Sequence, residues 1–199
     1  MTRTHDYFFT WPNILTLVRI SVIPLIALIF YLPFKWAHLM AATLFALASI
    51  TDWLDGYLAR YLVQSTKLGA FLDPVADKLM VSVALVLIVA EPVFQFVSTT
   101  PAVVTIPAAV IVAREIIVSA LREWMAEIGK RAKVTVSRLG KIKTSIQMTA
   151  LVTLLYCNND TATPVIIGGY ILLYVAAVLT IWSMLIYLKA AWAQLTSPS

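Results

Sequence analysis

Six runs without a formal charge make up most of this chain, and one short stretch between two of them gathers acids where they are least expected. The runs are Ile20–Phe34, Trp36–Thr51, Leu79–Ala90, Val93–Ala113, Thr144–Asn159 and Thr161–Leu188. Lipid offers no partner to a backbone N–H or C=O, so segments like these fold as helices that satisfy themselves. Several are shorter than the roughly 20 residues a bilayer needs and must borrow polar residues at their ends. With 61% hydrophobic and 13% charged residues, a water-soluble domain of this size is excluded. The expected fold is all-α: a polytopic membrane protein of one domain, residues 1–199. It has six transmembrane helices over 12–195, a short interfacial segment over 1–11 and both termini cytoplasmic.

The formal charge is +5, but the bases follow topology and not a nucleic-acid patch. With both termini inside, Arg3, Arg60, Lys67, the Lys130–Lys143 group and Lys189 fall on the cytoplasmic side, and Lys35 is the one base outside. The residual excess suits anionic headgroups or anionic substrates; no nucleic acid is expected. The single Cys157 excludes an intramolecular disulfide and a thiolate metal site, and packing is its expected role. Met1–Thr10 has no apolar core, so no cleavable signal is expected and the first span should remain as an anchor.

Tyr7, Phe8, Phe9 and Trp11 suit headgroup level. Pro12 then opens the first helix, along which Asn13, Thr16 and Arg19 recur on one face. Capping plus a snorkelling arginine would explain that stripe, unless it faces the acids. A second helix is expected from about Trp36 to Arg60, and a third from Gly69 to before Glu91-Pro92. A fourth, opened by Pro101, runs past Arg114 to about Glu127, and a fifth ends at Cys157. The sixth carries no charge between Asp160 and Lys189 and contributes little to the functional reading. No internal repeat is visible.

Four of the ten acids lie between positions 52 and 77. Asp52, Asp55, Gly56, Ala59 and Arg60 share one face of the second helix, and Gly69, Asp73 and Asp77 one face of the third. At about 1.5 Å per residue, Asp52 lies roughly 12 Å deeper than Arg60, and Asp77 roughly 12 Å deeper than Gly69. In antiparallel helices this levels Asp52 with Asp77 and Asp55 with Asp73. Packing of small residues and a structural ion-pair cluster are the bland alternatives. Carboxylates in lipid need a cation, and hard oxygen ligands favour Mg²⁺ or Mn²⁺, with Ca²⁺ a further option and two ions the better charge balance. Paired metals suit displacement at phosphorus. Gly56 and Gly69 would let a ligand approach the backbone, and Arg60 could clamp a phosphate.

The pattern Asp52-x2-Asp55-Gly56-x2-Ala59-Arg60-x8-Gly69-x3-Asp73-x3-Asp77 resembles the signature of the CDP-alcohol phosphotransferases at every fixed position. Those membrane enzymes transfer a phosphatidyl or similar group from a CDP-linked donor to an alcohol and release CMP. The resemblance implies that Asp52, Asp55, Asp73 and Asp77 hold two divalent ions and that Asp77 also takes the acceptor proton. It implies CDP contacts at Gly56, Ala59, Arg60 and Gly69, with Asn13 and Thr16 added from the first helix. Homodimers are common in that family, and one is possible here.

Arg114, Glu115, Ser119 and Arg122 form Arg-Glu-x3-Ser-x2-Arg on the fourth helix, and Lys141 and Lys143 open the fifth. A basic pocket level with the acids would suit an acceptor that is itself a phosphate. Lys130, Arg131 and Lys133 read as positive-inside decoration; Arg114, ending a long uncharged run, does not. With Pro12-Asn13-x-Leu15-Thr16-x2-Arg19 and Gly140-Lys141-x-Lys143-Thr144, this block resembles one bacterial branch of the family. Its donor is CDP-diacylglycerol, its acceptor glycerol 3-phosphate, and its location the cytoplasmic (inner) membrane with the site facing the cytoplasm. Arg114, Arg122, Lys141 and Lys143 would then hold the acceptor phosphate. A sister acceptor (inositol phosphate, serine or phosphatidylglycerol) and a cation-coupled transporter are the rival readings. Transporters tend to show inverted repeats and midplane breaks, which are not visible here.

Overall fold

The computed structural model describes residues 11–62, 67–94, 100–127 and 138–195. The interfacial segment up to Thr10 and the basic connector with Lys130, Arg131 and Lys133 lie outside the described residues. The fold is all-α. Among the described residues six long helices follow in order: α1 Trp11–Phe30, α2 Ala37–Leu62, α3 Lys67–Ala90, α4 Ala102–Glu127, α5 Arg138–Tyr156 and α6 Thr163–Leu195. Pro12 occupies the first turn of α1 and Pro101 immediately precedes α4, positions where a missing N–H costs no helical hydrogen bond.

Two of these helices, Ala102–Glu127 and Thr163–Lys189 within α6, are long and apolar enough to cross a bilayer by length and composition; Ile14–Phe30 and Ala37–Asp52 are shorter apolar stretches. Large apolar side chains stand exposed along the outer faces, among them Leu28, Val86, Ile116 and Val178. On the same faces the hydroxyls of Ser21, Thr43, Thr51, Thr105 and Thr149 donate to the carbonyl four residues back, at 2.7–3.0 Å. Each polar group is thereby satisfied by its own helix, as a lipid environment demands.

The chain divides into two compact units. The first is built on α1, α2 and α3, with residues 155–160. Here α1 packs against both α2 and α3. Its buried face is Thr16, Arg19, Ile23, Ile26 and Phe30, a three-four stripe that is apolar for its last three positions and polar for its first two. It meets Ala41, Ala42, Phe45 and Ala48 on the buried side of α2, where small residues allow close approach, and Ala76, Met80, Ala84 and Leu87 are buried on α3. In the turn after α5, Cys157 is wholly buried, as a packing residue should be.

The second unit is built on α4, α5 up to Leu154, and α6. On α4 the buried positions are Val104, Pro107, Ala108, Ile111, Val118 and Met125, and α4 packs on α6. α5 and α6 meet closely at Gly169, where an added Cβ would lie 2.6 Å from Leu154 Cδ2. Tyr170 anchors α6 by donating its hydroxyl to the Phe94 carbonyl at 3.2 Å.

Candidate active site

The stripe on α1 does face the acids. Arg19, 4% exposed, donates through Nη1 to Oδ1 of Asp52 on α2, and the same nitrogen lies 3.5 Å from Oδ1 of Asp77 on α3. Two turns of apolar packing on Ile23, Ile26 and Phe30 hold α1 in the phase that aims this guanidinium between the two carboxylates. Near it, Thr16 is buried and donates Oγ1 to Oδ1 of Asp73 at 2.6 Å. Capping and snorkelling are therefore not what this stripe does: Thr16 and Arg19 are the partners of three of the four signature acids.

Burial is one-sided. Arg19's side chain is 3% exposed, whereas those of Asp52 and Asp77 are 36% and 47% exposed, so the carboxylates remain open on the side away from the arginine. Gly69 is buried in the first turn of α3. Asp55, Gly56, Ala59 and Arg60 in α2, Asn13 in α1 and Lys141 in α5 are placed as helical backbone only; their surroundings lie outside the described residues.

Among the described residues no three acidic, histidine or cysteine side chains are drawn together tightly enough to cage an ion as they stand. The donor set nevertheless fits a hard divalent cation. Two carboxylates from separate helices converge on one positive centre, with a third one turn away on α3.

Three of the four candidate acceptor bases are described, all in the second unit. Arg114 continues the buried stripe of α4, three residues after Ile111 and four before Val118. Its Nη1 donates to Glu115 Oε1 at 2.5 Å, and its Nη2 to Ser183 Oγ on α6 at 3.3 Å. Lys143, 5% exposed, brings Nζ to 3.5 Å from the same Glu115 oxygen. Arg122 is exposed, and its guanidinium lies over the Tyr187 ring of α6, 5.7 Å from the centroid. Ser119, between them on α4, spends its hydroxyl on the Glu115 carbonyl at 2.6 Å.

Two features escape a reading of the sequence by charge and motif. The sequence places Arg19 on the polar stripe of α1 and in the branch motif but not among the binding residues, although its phase with Ile23, Ile26 and Phe30 marks it as a core-facing charge. The sixth helix, expected to contribute little, supplies the contacts of both arginines. Ser183 and Tyr187 carry no charge and sit in an apolar run, so only their partners give them away.

A family model described as CDP-alcohol phosphatidyltransferase matches residues 9–182. A protein from Sodalis glossinidius is 58% identical over 180 residues, covering 90% of this chain and 93% of its own length. One from Yersinia pestis is 54% identical over 187 residues, covering 94% and 97%. One from Salmonella choleraesuis is 53% identical over 183 residues, covering 92% and 95%. All three bear the name CDP-diacylglycerol–glycerol-3-phosphate 3-phosphatidyltransferase.

Proposed function

The chain belongs to the CDP-alcohol phosphatidyltransferase family, and from that premise we infer that it transfers the phosphatidyl group of CDP-diacylglycerol to glycerol 3-phosphate. The products are phosphatidylglycerol phosphate and CMP. The observation that carries this reading is near-full-length identity above 50% to relatives named for that reaction. It sets aside the transporter, and it favours glycerol 3-phosphate over the sister acceptors.

The enzyme is membrane-bound. We place its six helices across the bacterial cytoplasmic (inner) membrane as one catalytic domain, both termini and the acids facing the cytoplasm, in keeping with the distribution of bases. A homodimer is compatible with this arrangement.

Asp52, Asp55, Asp73 and Asp77 would hold two Mg²⁺ or Mn²⁺ ions, which when bound supply charge neutralisation at the diphosphate. The chain's own groups do the rest. Thr16 donates to Asp73 and Arg19 to Asp52 and Asp77, contacts that would hold these carboxylates in place until an ion binds. Asn13, Gly56, Ala59, Arg60 and Gly69 would shape the CDP site. Asp77 would accept the proton of the primary hydroxyl of glycerol 3-phosphate as that oxygen attacks the β-phosphorus and CMP departs. Arg114, Arg122, Lys141 and Lys143 would bind the acceptor phosphate, for which fork-shaped guanidinium groups are suited. Transfer would then be direct, without a covalent phosphatidyl-enzyme.

The test is CMP release by the purified full chain from CDP-diacylglycerol, with glycerol 3-phosphate, inositol phosphate, serine and phosphatidylglycerol offered in turn under Mg²⁺, Mn²⁺ and chelator. Release with glycerol 3-phosphate alone, abolished by chelator, is expected. Silence with that acceptor would end the assignment.

A further inference from the structure

The second unit contains polar groups that motif and charge do not explain, and they lie on the helix with the fewest charges. Thr180, Ser183 and Tyr187 fall at offsets 0, 3 and 7, one face of α6. Ser183 accepts from Arg114 at 3.3 Å, and Tyr187 lies beneath Arg122 at 5.7 Å. Thr180 is wholly buried, and its hydroxyl has no partner among the described residues. Arg114 Nε is likewise buried and unpartnered among them. Buried hydrogen-bonding capacity of this kind is rare in a finished protein interior and points to a ligand.

Charge points the same way. Glu115 Oε1 serves both Arg114 and Lys143, so this trio carries one positive charge more than its carboxylate can offset. In a site where Arg114 is 12% and Lys143 6% exposed by side chain, an anion is the natural complement.

We infer that α6 sets acceptor recognition: Ser183 and Tyr187 are positioning residues that hold the Arg114 and Arg122 guanidinium groups for the phosphate of a small polyol phosphate. The inference rests on the reading that those arginines bind the acceptor phosphate. Ser183 takes Nη2 of the Arg114 fork while Glu115 takes Nη1, leaving Nε–H unspent among the described residues. The Tyr187 ring limits the swing of Arg122, which is otherwise solvent-exposed and long-stemmed. Neither residue is required to touch the reacting atoms, so their loss should be felt in acceptor affinity and not in turnover.

The experiment measures KM and kcat for glycerol 3-phosphate, and KM for CDP-diacylglycerol, in the full chain carrying Ser183→Ala, Ser183→Thr, Tyr187→Leu, Tyr187→Phe or Arg114→Gln. Counted at the ordinary value, loss of the long 3.3 Å Arg114–Ser183 bond corresponds to a rise of roughly two- to tenfold in acceptor KM for Ser183→Ala. Losing a cation–π contact at an exposed site corresponds to roughly two- to fivefold for Tyr187→Leu. Ser183→Thr and Tyr187→Phe, which keep the hydroxyl and the ring, should restore most of the affinity. KM for the lipid donor and kcat should not follow. If Arg114→Gln raises acceptor KM while Ser183→Ala and Tyr187→Leu leave it unchanged, the role of α6 is refuted and the phosphate reading stands. If Arg114→Gln leaves it unchanged, both fall together.

Discussion

Replacing Arg19 by Gln is the most informative single perturbation of the acidic site. The guanidinium nitrogen sits 3.5 Å from Asp77 Oδ1 and closer still to Asp52 Oδ1. One such pair at an effective dielectric of about 20 is worth about 5 kcal/mol before desolvation. Two corrections reduce it. Burying the arginine has already cost part of that attraction, and Asp52 and Asp77 are 36% and 47% exposed, so water takes over once the cation is gone. A net loss of about 1–3 kcal/mol remains, or about 2–12 °C in Tm by the scaling for chains of 150–250 residues.

The same geometry predicts that the loss depends on metal. Arg19 donates to oxygens that a divalent ion would also take, so removing it destabilises the metal-free protein while freeing its ligands. Thermal unfolding of purified protein should show Arg19→Gln melting below wild type in chelator, with the gap narrowing in Mn²⁺ as ion binding stabilises the folded state. Arg19→Lys, which keeps the charge but not the fork, should fall between. Equal melting of wild type and Arg19→Gln in chelator would refute the ion-pair reading. A smaller Mn²⁺ stabilisation of Arg19→Gln than of wild type would refute the competition.

Other outcomes follow from single contacts. Asp73→Asn should cut metal-dependent CMP release by roughly 100-fold or more, the scale for removing a group at the reacting centre, with the helical circular dichroism intact; full activity would contradict the site. Gly169→Leu should cost about 1–3 kcal/mol by overpacking, since even its Cβ would sit 2.6 Å from Leu154 Cδ2, whereas Gly168→Ala, with nothing within 4 Å, should match or exceed wild-type Tm. Cys157 is wholly buried at the end of the fifth apolar run. Maleimide should therefore label it slowly at pH 7 in native protein and rapidly in denaturant. Arg114→Leu leaves Glu115 with Lys143 as partner, so it should hold its Tm while losing acceptor affinity, a separation that circular dichroism and KM together would show.

The helices were legible because their limits are written in residues with few alternatives. Pro101 opens α4, Glu91-Pro92 follows α3, and Cys157-Asn-Asn-Asp closes α5. The convergence of Asp52 and Asp77 was legible too, because helical rise makes depth a matter of counting. What the counting missed was the identity of the element between the two acids. Apolar stripes on α2 and α3 say that each needs a neighbour but not which one, and α1 serves both. Phase put Arg19 on one face with Thr16, and Ile23 four residues on continues that face into the core. Ser183 could not be found by phase, because a hydroxyl in an apolar run is equally at home bonding its own backbone, as Ser21 and Thr105 do.

The two arginines share a placement that stability does not explain. Arg19 stands in the buried stripe of α1 between Thr16 and Ile23, and Arg114 in that of α4 between Ile111 and Val118. Replacing a whole buried ion pair, cation and carboxylate together, by packed hydrophobic residues is often neutral or stabilising, so the fold alone does not require either pair. Each arginine is moreover tied to a carboxylate that is itself only partly covered: Asp52 and Asp77 for Arg19, and Glu115, 24% exposed, for Arg114. A purely structural ion pair gains most when both partners are enclosed and fully bonded. These have one enclosed partner and one left partly open. In each unit, then, the apolar stripe positions a fixed cation: Arg19 lies against the carboxylates of Asp52 and Asp77, and Arg114 is held between Glu115 and Ser183.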